Sequence, residues 1–83
     1  MSAGASSGIG VHAVEIGSRV LVRDYEGEHE VVIVDAVDAD APAGRISADS
    51  PVSRALIGSA AGDRVVVRAP AGRRAVRVVE VTR

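Results

Sequence analysis

The strongest local signal in the sequence is the segment Ser47-Ala48-Asp49-Ser50-Pro51-Val52-Ser53-Arg54-Ala55-Leu56-Ile57-Gly58. Ser50 is a good N-cap, because its hydroxyl can accept a hydrogen bond from an amide of the first helical turn. Pro51 follows at the first helical position, where a missing N–H costs nothing. Gly58 can take the left-handed conformation that ends a helix. These helix-start and helix-end residues predict one short helix of about two turns.

The apolar stripe of this helix, at i, i+3, i+4 spacing, consists of Val52, Ala55, Leu56 and Ile57. The same spacing predicts that Ser53 and Arg54 face water. Because the rest of the chain has the pattern of strands and turns, we expect the helix to pack on one face of a sheet.

Strands are predicted outside the helix at 19–23, 31–34, 64–68 and 74–81, with a brief one at 45–47. Gly27 marks one hairpin turn and the segment 69–72 marks another. Apolar residues adjoin at 65–67 and 78–79, so either both faces of those strands are partly covered or a bulge shifts the alternation. The chain is therefore expected to fold as α+β, with four to five antiparallel strands and one short helix.

Composition excludes several classes of protein. Eighty-three residues with 47% hydrophobic and 25% charged side chains indicate one small globular domain. The chain has one Tyr, no Phe and no Trp, so aliphatic side chains must fill the core. The absence of cysteine excludes disulfides and thiolate metal sites. The net charge is −1, which creates no overall field toward DNA or an anionic membrane. Residues 1–12 are expected to be a flexible lead-in and residues 13–83 the folded domain.

The predicted helix also carries a family motif, namely Ser47-x-x-Ser50-Pro51-Val52-x-x-Ala55-Leu56-Ile57 followed, after four intervening residues, by Gly62-Asp63. It resembles the C-terminal signature of the bacterial GreA/GreB transcript-cleavage factors, with Ser53 where the family usually has Ala or Gly. The resemblance extends from about Ile16 to the end of the chain. It implies that residues 13–83 adopt the FKBP-like fold of that family's C-terminal domain.

The resemblance implies a partner as well. In this family the C-terminal domain docks on a coiled coil at the rim of the RNA polymerase secondary channel. A separate helical hairpin with an acidic tip helps to hold the catalytic metal. Residues 1–16 would rise only about 24 Å as one helix, and glycines at 4, 8 and 10 disfavour that helix. We therefore expect no cleavage hairpin and no enzymatic activity.

The residues expected to bind the polymerase are Asp49, Ser50 and Pro51, supported by Val52 and Ile46. Asp49, Ser50 and Pro51 match the segment that the family uses for polymerase binding. Secondary contacts are expected from Arg64, Arg73 and Arg74. The resemblance thus predicts a cytoplasmic, monomeric module that modulates transcription elongation, contacts nucleic acid only indirectly or weakly, and has no membrane association.

Two alternative functions remain open. The last predicted hairpin carries Arg64, Arg68, Arg73, Arg74 and Arg77. These arginines could serve an adaptor or a nucleic-acid-contacting module, or they could protect a sheet edge from aggregation. FKBP-like folds also include prolyl isomerases, which use an aromatic-lined pocket that a single tyrosine cannot build.

The sequence predicts no cofactor and no metal. The glycine-rich start, residues 4–10, resembles a nucleotide-binding loop, but no strand precedes it. Asp35, Asp38 and Asp40 lie in one acidic loop without the rest of a cation-ligand set. His12 and His29 have the surroundings of surface histidines, and Tyr25 is expected to pack over its hairpin turn.

Overall fold

The computed structural model describes residues 13–82, apart from the side chain of Ala69. The predicted lead-in, with His12 and the glycine-rich start, lies outside this range. The elements in the described range are β1 (Arg19–Asp24), β2 (Gly27–Val34), two 3₁₀ turns (Ala36–Asp38 and Ala41–Ala43), β3 (Arg45–Ser47), α1 (Pro51–Leu56), β4 (Arg64–Ala69) and β5 (Gly72–Thr82). They form a sheet with strand order β3-β2-β1-β5-β4. The predicted α+β class, with five strands and one short helix, is confirmed.

Both predicted hairpins are present. Asp24 pairs with Gly27 around the turn that joins β1 to β2, and Ala69 pairs with Gly72 around the turn that joins β4 to β5. Gly27 has a φ of 128°, a backbone conformation that side chains rarely adopt. The turn after Asp24 therefore requires glycine at this position.

The expectation of a wholly antiparallel sheet is wrong at one pairing. β3 runs parallel to β2, with Ile33 opposite Ile46. Between them the two 3₁₀ turns and a bridge between Asp40 and Arg45 return the chain to the level of Val32. Because the chain comes back before β3 begins, the two strands point the same way and the sheet is mixed.

A bulge in β5 explains the broken alternation near the C-terminus. Leu21 of β1 pairs with Glu80 whereas Val22 pairs with Val78, which leaves Val79 as an extra residue. The insertion moves the following residues by one position. As a result Val78 and Val81 are both buried although they are three residues apart. Of the two explanations open at 78–79, the bulge is confirmed.

The core lies between α1 and the sheet, and its buried members are Val14, Val20, Val22, Ile33, Leu56, Val67, Val76, Val78 and Val81. α1 turns Ser53 and Leu56 toward this core, and both side chains are fully buried. Ser53 was expected to face water, and that prediction is wrong. Residues three apart share a helix face, so burial of Leu56 brings Ser53 with it. Ile57 follows the helix end and is 42% exposed.

The entry of the chain into the domain is tied to the end of α1. The Val14 N–H donates to the Ser59 carbonyl at 2.7 Å, and the Gly58 N–H donates to the Val14 carbonyl at 2.9 Å. Val14 is 1% exposed, so the core extends to the start of the described range. No helix found there is long and apolar enough to cross a membrane.

Candidate partner-binding surfaces

The turn that leads into α1 is held by side-chain hydrogen bonds. The Asp49 N–H donates to Ser47 Oγ at 3.1 Å, and the Ser53 N–H donates to Ser50 Oγ at 3.2 Å. Ser50 Oγ in turn donates to the buried Ser53 Oγ at 3.1 Å. The predicted N-cap is confirmed. These contacts satisfy a first-turn amide of α1 and restrict the conformations open to the turn before a partner binds.

This turn exposes two of the residues predicted to bind a partner. Asp49 and Pro51 are both exposed, whereas Ser50 is half-buried under its capping contacts. The Asp49 carboxylate has no ion-pair partner within residues 13–82. Arg54 donates from Nε to the Asp49 carbonyl, not to its carboxylate. The carboxylate is therefore available for a cationic or amide group on another molecule.

A groove begins beside this turn, between α1 and β4. It encloses about 480 Å³ and is lined by Asp49, Pro51, Arg54, Ala55, Val66 and Arg68. Pro51, Ala55 and Val66 are its apolar members, and Asp49, Arg54 and Arg68 are its charged ones. A mixture of apolar and charged side chains is common in small protein–protein contacts. We call it the α1–β4 groove.

The other predicted partner-binding residues have a different place. Val52 and Ile46 are half-buried and pack against the core. Ile46 lies on β3, at the edge of the sheet opposite β4. Both residues can hold the predicted site in shape, but neither lines the α1–β4 groove. Sequence reasoning missed Val66, for which the unbroken run Val65-Val66-Val67 was the available signal. It named Arg68 only among the hairpin arginines and did not place it with Val66 in the β4 wall of this groove.

The arginines of the last hairpin divide between two faces. Along β4, Val67 is buried and Val65 half-buried, while Arg64, Val66 and Arg68 are exposed. The register places Arg64 opposite Arg77, Val66 opposite Ala75 and Arg68 opposite Arg73. Since side chains alternate along strands and opposite residues share a face, these six residues lie together on the outward side. We call this surface, Arg64, Arg68, Arg73 and Arg77 around Val66 and Ala75, the arginine face.

Arg74 does not belong to the arginine face. Its Nη1 donates to Asp24 Oδ2 at 3.1 Å, which joins the turn of the second hairpin to that of the first. Of the three predicted secondary contacts, the structure therefore brings Arg64 and Arg73 to one surface and places Arg74 in an internal ion pair.

Asp24 is the centre of this link between the hairpins. Its side chain is 4% exposed, its Oδ1 accepts the Glu26 N–H at 2.8 Å, and His29 Nε2 lies 3.5 Å from the same oxygen. The Glu26 hydrogen bond, followed by the charges of His29 and Arg74, lowers the pKa of the Asp24 carboxyl below its ordinary value of 3.8. Asp24, Glu26 and His29 could offer three metal-ligand atoms within 4.8 Å of one another. Because the Asp24 carboxylate already forms an ion pair with Arg74, we assign this cluster a structural role, in which it links the two hairpins.

Asp24→Asn is expected to make the stability of the domain less dependent on pH in the acid range. The folded state lowers the pKa of Asp24, so its carboxylate stabilises the fold fully above its ordinary pKa of 3.8. That contribution is lost as the pH falls through the lower folded pKa. Urea unfolding of both proteins from pH 7 to pH 2.5 should show the margin of the wild type over Asp24→Asn shrinking below about pH 4.

Asp49→Asn is the control for this titration, because Asp49 is exposed and no residue of the described chain forms an ion pair with it. Replacing this exposed side chain should change the unfolding free energy by no more than about 0.5 kcal/mol. A margin for Asp24→Asn that stays constant from pH 7 to pH 2.5 would contradict the assigned role of the Asp24 carboxylate.

A family described as "Transcription elongation factor, GreA/GreB, C-term" matches residues 10–83. The chain belongs to the GreA/GreB family. Its relatives include the transcription elongation factor GreA of Streptococcus mutans serotype c, 41% identical over 78 residues, which cover 92% of this chain and 49% of the relative. GreA of Hyphomonas neptunium is 43% identical over 77 residues, 90% of this chain and 49% of the relative.

Solved structures of the GreA/GreB family share the fold. A GreA/GreB factor from Nitrosomonas europaea matches with a TM-score of 0.69 at 36% identity, covering 88% of this chain and 61% of that one. GreA factor homolog 1 of Thermus thermophilus matches with a TM-score of 0.75 at 28% identity, covering 88% and 50%. This GreA/GreB chain spans about half the length of the curated relatives it matches. The family resemblance expected from the Ser47–Asp63 motif is confirmed.

Proposed function

We propose that this GreA/GreB domain binds bacterial RNA polymerase through Asp49, Ser50, Pro51 and the α1–β4 groove, and thereby modulates transcription elongation. The observation that carries the proposal is an exposed, hydrogen-bonded Asp-Ser-Pro turn at the mouth of an apolar groove, in a chain of this family. A turn that is already ordered loses little conformational entropy on binding. The proposed docking point is the coiled coil at the rim of the secondary channel.

The proposal assigns docking, and not transcript cleavage, to these residues. The helix found within residues 13–82 is the six-residue α1, which cannot supply a long hairpin that reaches into a channel. We propose a non-enzymatic role for this domain, in which it alters elongation or excludes other factors from the same rim. Such a module would act in the cytoplasm, as a monomer, with nucleic acid touched only through the polymerase.

A prolyl isomerase has no support from the site. Tyr25, the one aromatic residue of the sequence, is 85% exposed on a hairpin turn. It does not pack over its hairpin, so that expectation is wrong. The α1–β4 groove is lined by aliphatic and charged side chains only. An aromatic-lined proline pocket therefore cannot form there.

Combined replacement of Asp49→Ala and Pro51→Ala is expected to weaken binding to core RNA polymerase about tenfold or more. The reason is that loss of two central contacts of a small interface typically costs at least about 1.4 kcal/mol. Binding of the purified chain to immobilised core polymerase would measure the change. Circular dichroism of the variant would show that the fold is kept.

A matched control is the pair Asp38→Ala and Pro42→Ala, an exposed acid and an exposed proline in the 3₁₀ segment beside β3. This pair lies at the opposite edge of the sheet and should leave polymerase binding unchanged. Absence of binding by the wild type, or equal loss with both pairs of changes, would contradict the proposed docking surface.

A further inference from the structure

The arginine face contains like charges directly opposite one another. Arg64 pairs with Arg77 and Arg68 pairs with Arg73 across β4 and β5. None of these four arginines forms an ion pair with an acidic residue in the part of the chain that the structure describes. Like charges at directly opposite positions destabilise a sheet. Two such pairs persist here although the sequence has eleven acidic residues, so the arrangement needs a reason other than stability.

Protection of a sheet edge does not account for the arrangement. A charged edge strand prevents pairing with other chains, and β4 is an edge strand. Arg77, however, lies on the internal strand β5, with Arg64 on one side and Arg23 on the other. Arg23 is neutralised by an ion pair with Glu28, whereas Arg77 has no such partner in residues 13–82. Unpaired positive charge is therefore present on the internal strand β5 as well as on the edge strand β4.

The distance between the two arginine pairs indicates what kind of ligand fits the arginine face. The two arginine pairs are four residues apart along β4, which corresponds to about 13 Å. Val66, 51% exposed, and the exposed Ala75 lie between them. In an α-helix, carboxylates seven or eight residues apart are separated by about 11–12 Å along the axis, with position i+4 between them on the same side. A helix with two acidic positions around one apolar position therefore matches the surface.

We propose that the arginine face binds an acidic helical segment of a partner protein, with carboxylates on the two arginine pairs and an apolar side chain over Val66. Guanidinium groups bind carboxylates in a fork-to-fork geometry, which suits paired arginines. Val66 and Arg68 also line the α1–β4 groove, so the two surfaces are continuous. The inference goes beyond the proposed docking on polymerase and does not depend on it.

Nucleic acid fits this surface less well. Single-stranded nucleic acid is held largely by stacking on aromatic side chains, and the arginine face has none. The next row of the sheet pairs Leu21 with Glu30 and with Glu80. Both glutamates are exposed and would repel a phosphate backbone that continues across the sheet. A short acidic helix can end before it reaches them.

The test uses a helical peptide of about twenty residues with glutamates at i and i+7 and leucine at i+4. The ¹H–¹⁵N spectrum of the full chain would be followed during titration with this peptide, with the same peptide carrying lysine for glutamate, and with a DNA duplex. We expect the acidic peptide to shift the amides of 64–68 and 73–77, and the lysine peptide to shift none. Binding to the duplex without binding to the acidic peptide would overturn the proposal, as would binding to neither.

Variants locate the contact. Arg64→Gln with Arg77→Gln should weaken peptide binding about fivefold, since each exposed ion pair contributes a factor of about two or more. Arg19→Gln with Arg45→Gln removes two exposed arginines elsewhere and should change nothing. An equal loss with the control pair would show a non-specific charge effect and overturn the assigned surface.

Arg77→Glu separates a binding role from a structural one. The new glutamate would lie opposite Arg64 and Arg23, so we expect the midpoint of thermal unfolding to rise by about 3 °C. The same change should weaken the acidic peptide at least about tenfold, because it replaces attraction with repulsion. A variant that melts lower than the wild type, or binds the peptide equally well, would refute the inference.

Discussion

Leu56→Ala is expected to lower the free energy of unfolding by about 2–5 kcal/mol, the usual range for truncating a buried leucine. Leu56 is fully buried and is the one large apolar side chain of α1 in the core. A helix of six residues has no stability of its own, so its attachment depends on this contact. A loss of 2 kcal/mol should lower the midpoint of thermal unfolding by about 8 °C or more.

Ile57→Ala provides the matched control for this prediction. Ile57 adjoins Leu56 but lies after the helix end and is 42% exposed. Because much less of its surface leaves water on folding, we expect a cost below about 1 kcal/mol. Urea and thermal unfolding of both variants would give the comparison. Equal losses would mean that α1 is not attached through Leu56.

Ser50→Ala is expected to lower the free energy of unfolding by about 2 kcal/mol. This figure combines the cost of losing the N-cap with the cost of leaving a buried hydroxyl without its hydrogen-bond partner. Ser50 Oγ accepts the Ser53 N–H and donates to Ser53 Oγ. Alanine removes both contacts, and the Ser53 side chain, which is fully buried, cannot turn to water. Urea unfolding would measure the loss.

Ser53→Ala should behave differently from Ser50→Ala. It removes the buried hydroxyl itself and keeps the cap, because the backbone N–H of residue 53 still donates to Ser50 Oγ. We therefore expect a change within about 0.5 kcal/mol. A cost for Ser53→Ala equal to that for Ser50→Ala would contradict the division of roles between the two serines.

Local chemistry made much of the fold predictable. Ser50, Pro51 and Gly58 predicted the helix and its boundaries, because capping depends on residues next to one another in the chain. Gly27 predicted the first hairpin for the same reason, since one backbone angle determines the turn. The strands followed from β-branched runs, although β2 and β5 extend further than the apolar residues alone indicated.

Only the part of the candidate site that is contiguous in sequence could be predicted. The motif around Asp49, Ser50 and Pro51 indicated one wall, where the structure exposes Asp49 and Pro51 and leaves Ser50 half-buried. The other wall, Val66 and Arg68, lies on β4. Its position beside α1 depends on the path of the whole chain, and no local pattern contains that path.

Short-range patterns in the sequence identified the family, the elements and the boundaries of α1, because each depends on side chains close together along the chain. The buried face of each element depends instead on how the elements pack in the folded domain. The tertiary structure turned Ser53 inward beside Leu56, aligned β3 parallel to β2, separated Arg74 from Arg73, and set four arginines opposite one another on β4 and β5. Those outcomes depend on strand order and register. Both are determined by the burial of apolar surface between segments that are far apart in the chain.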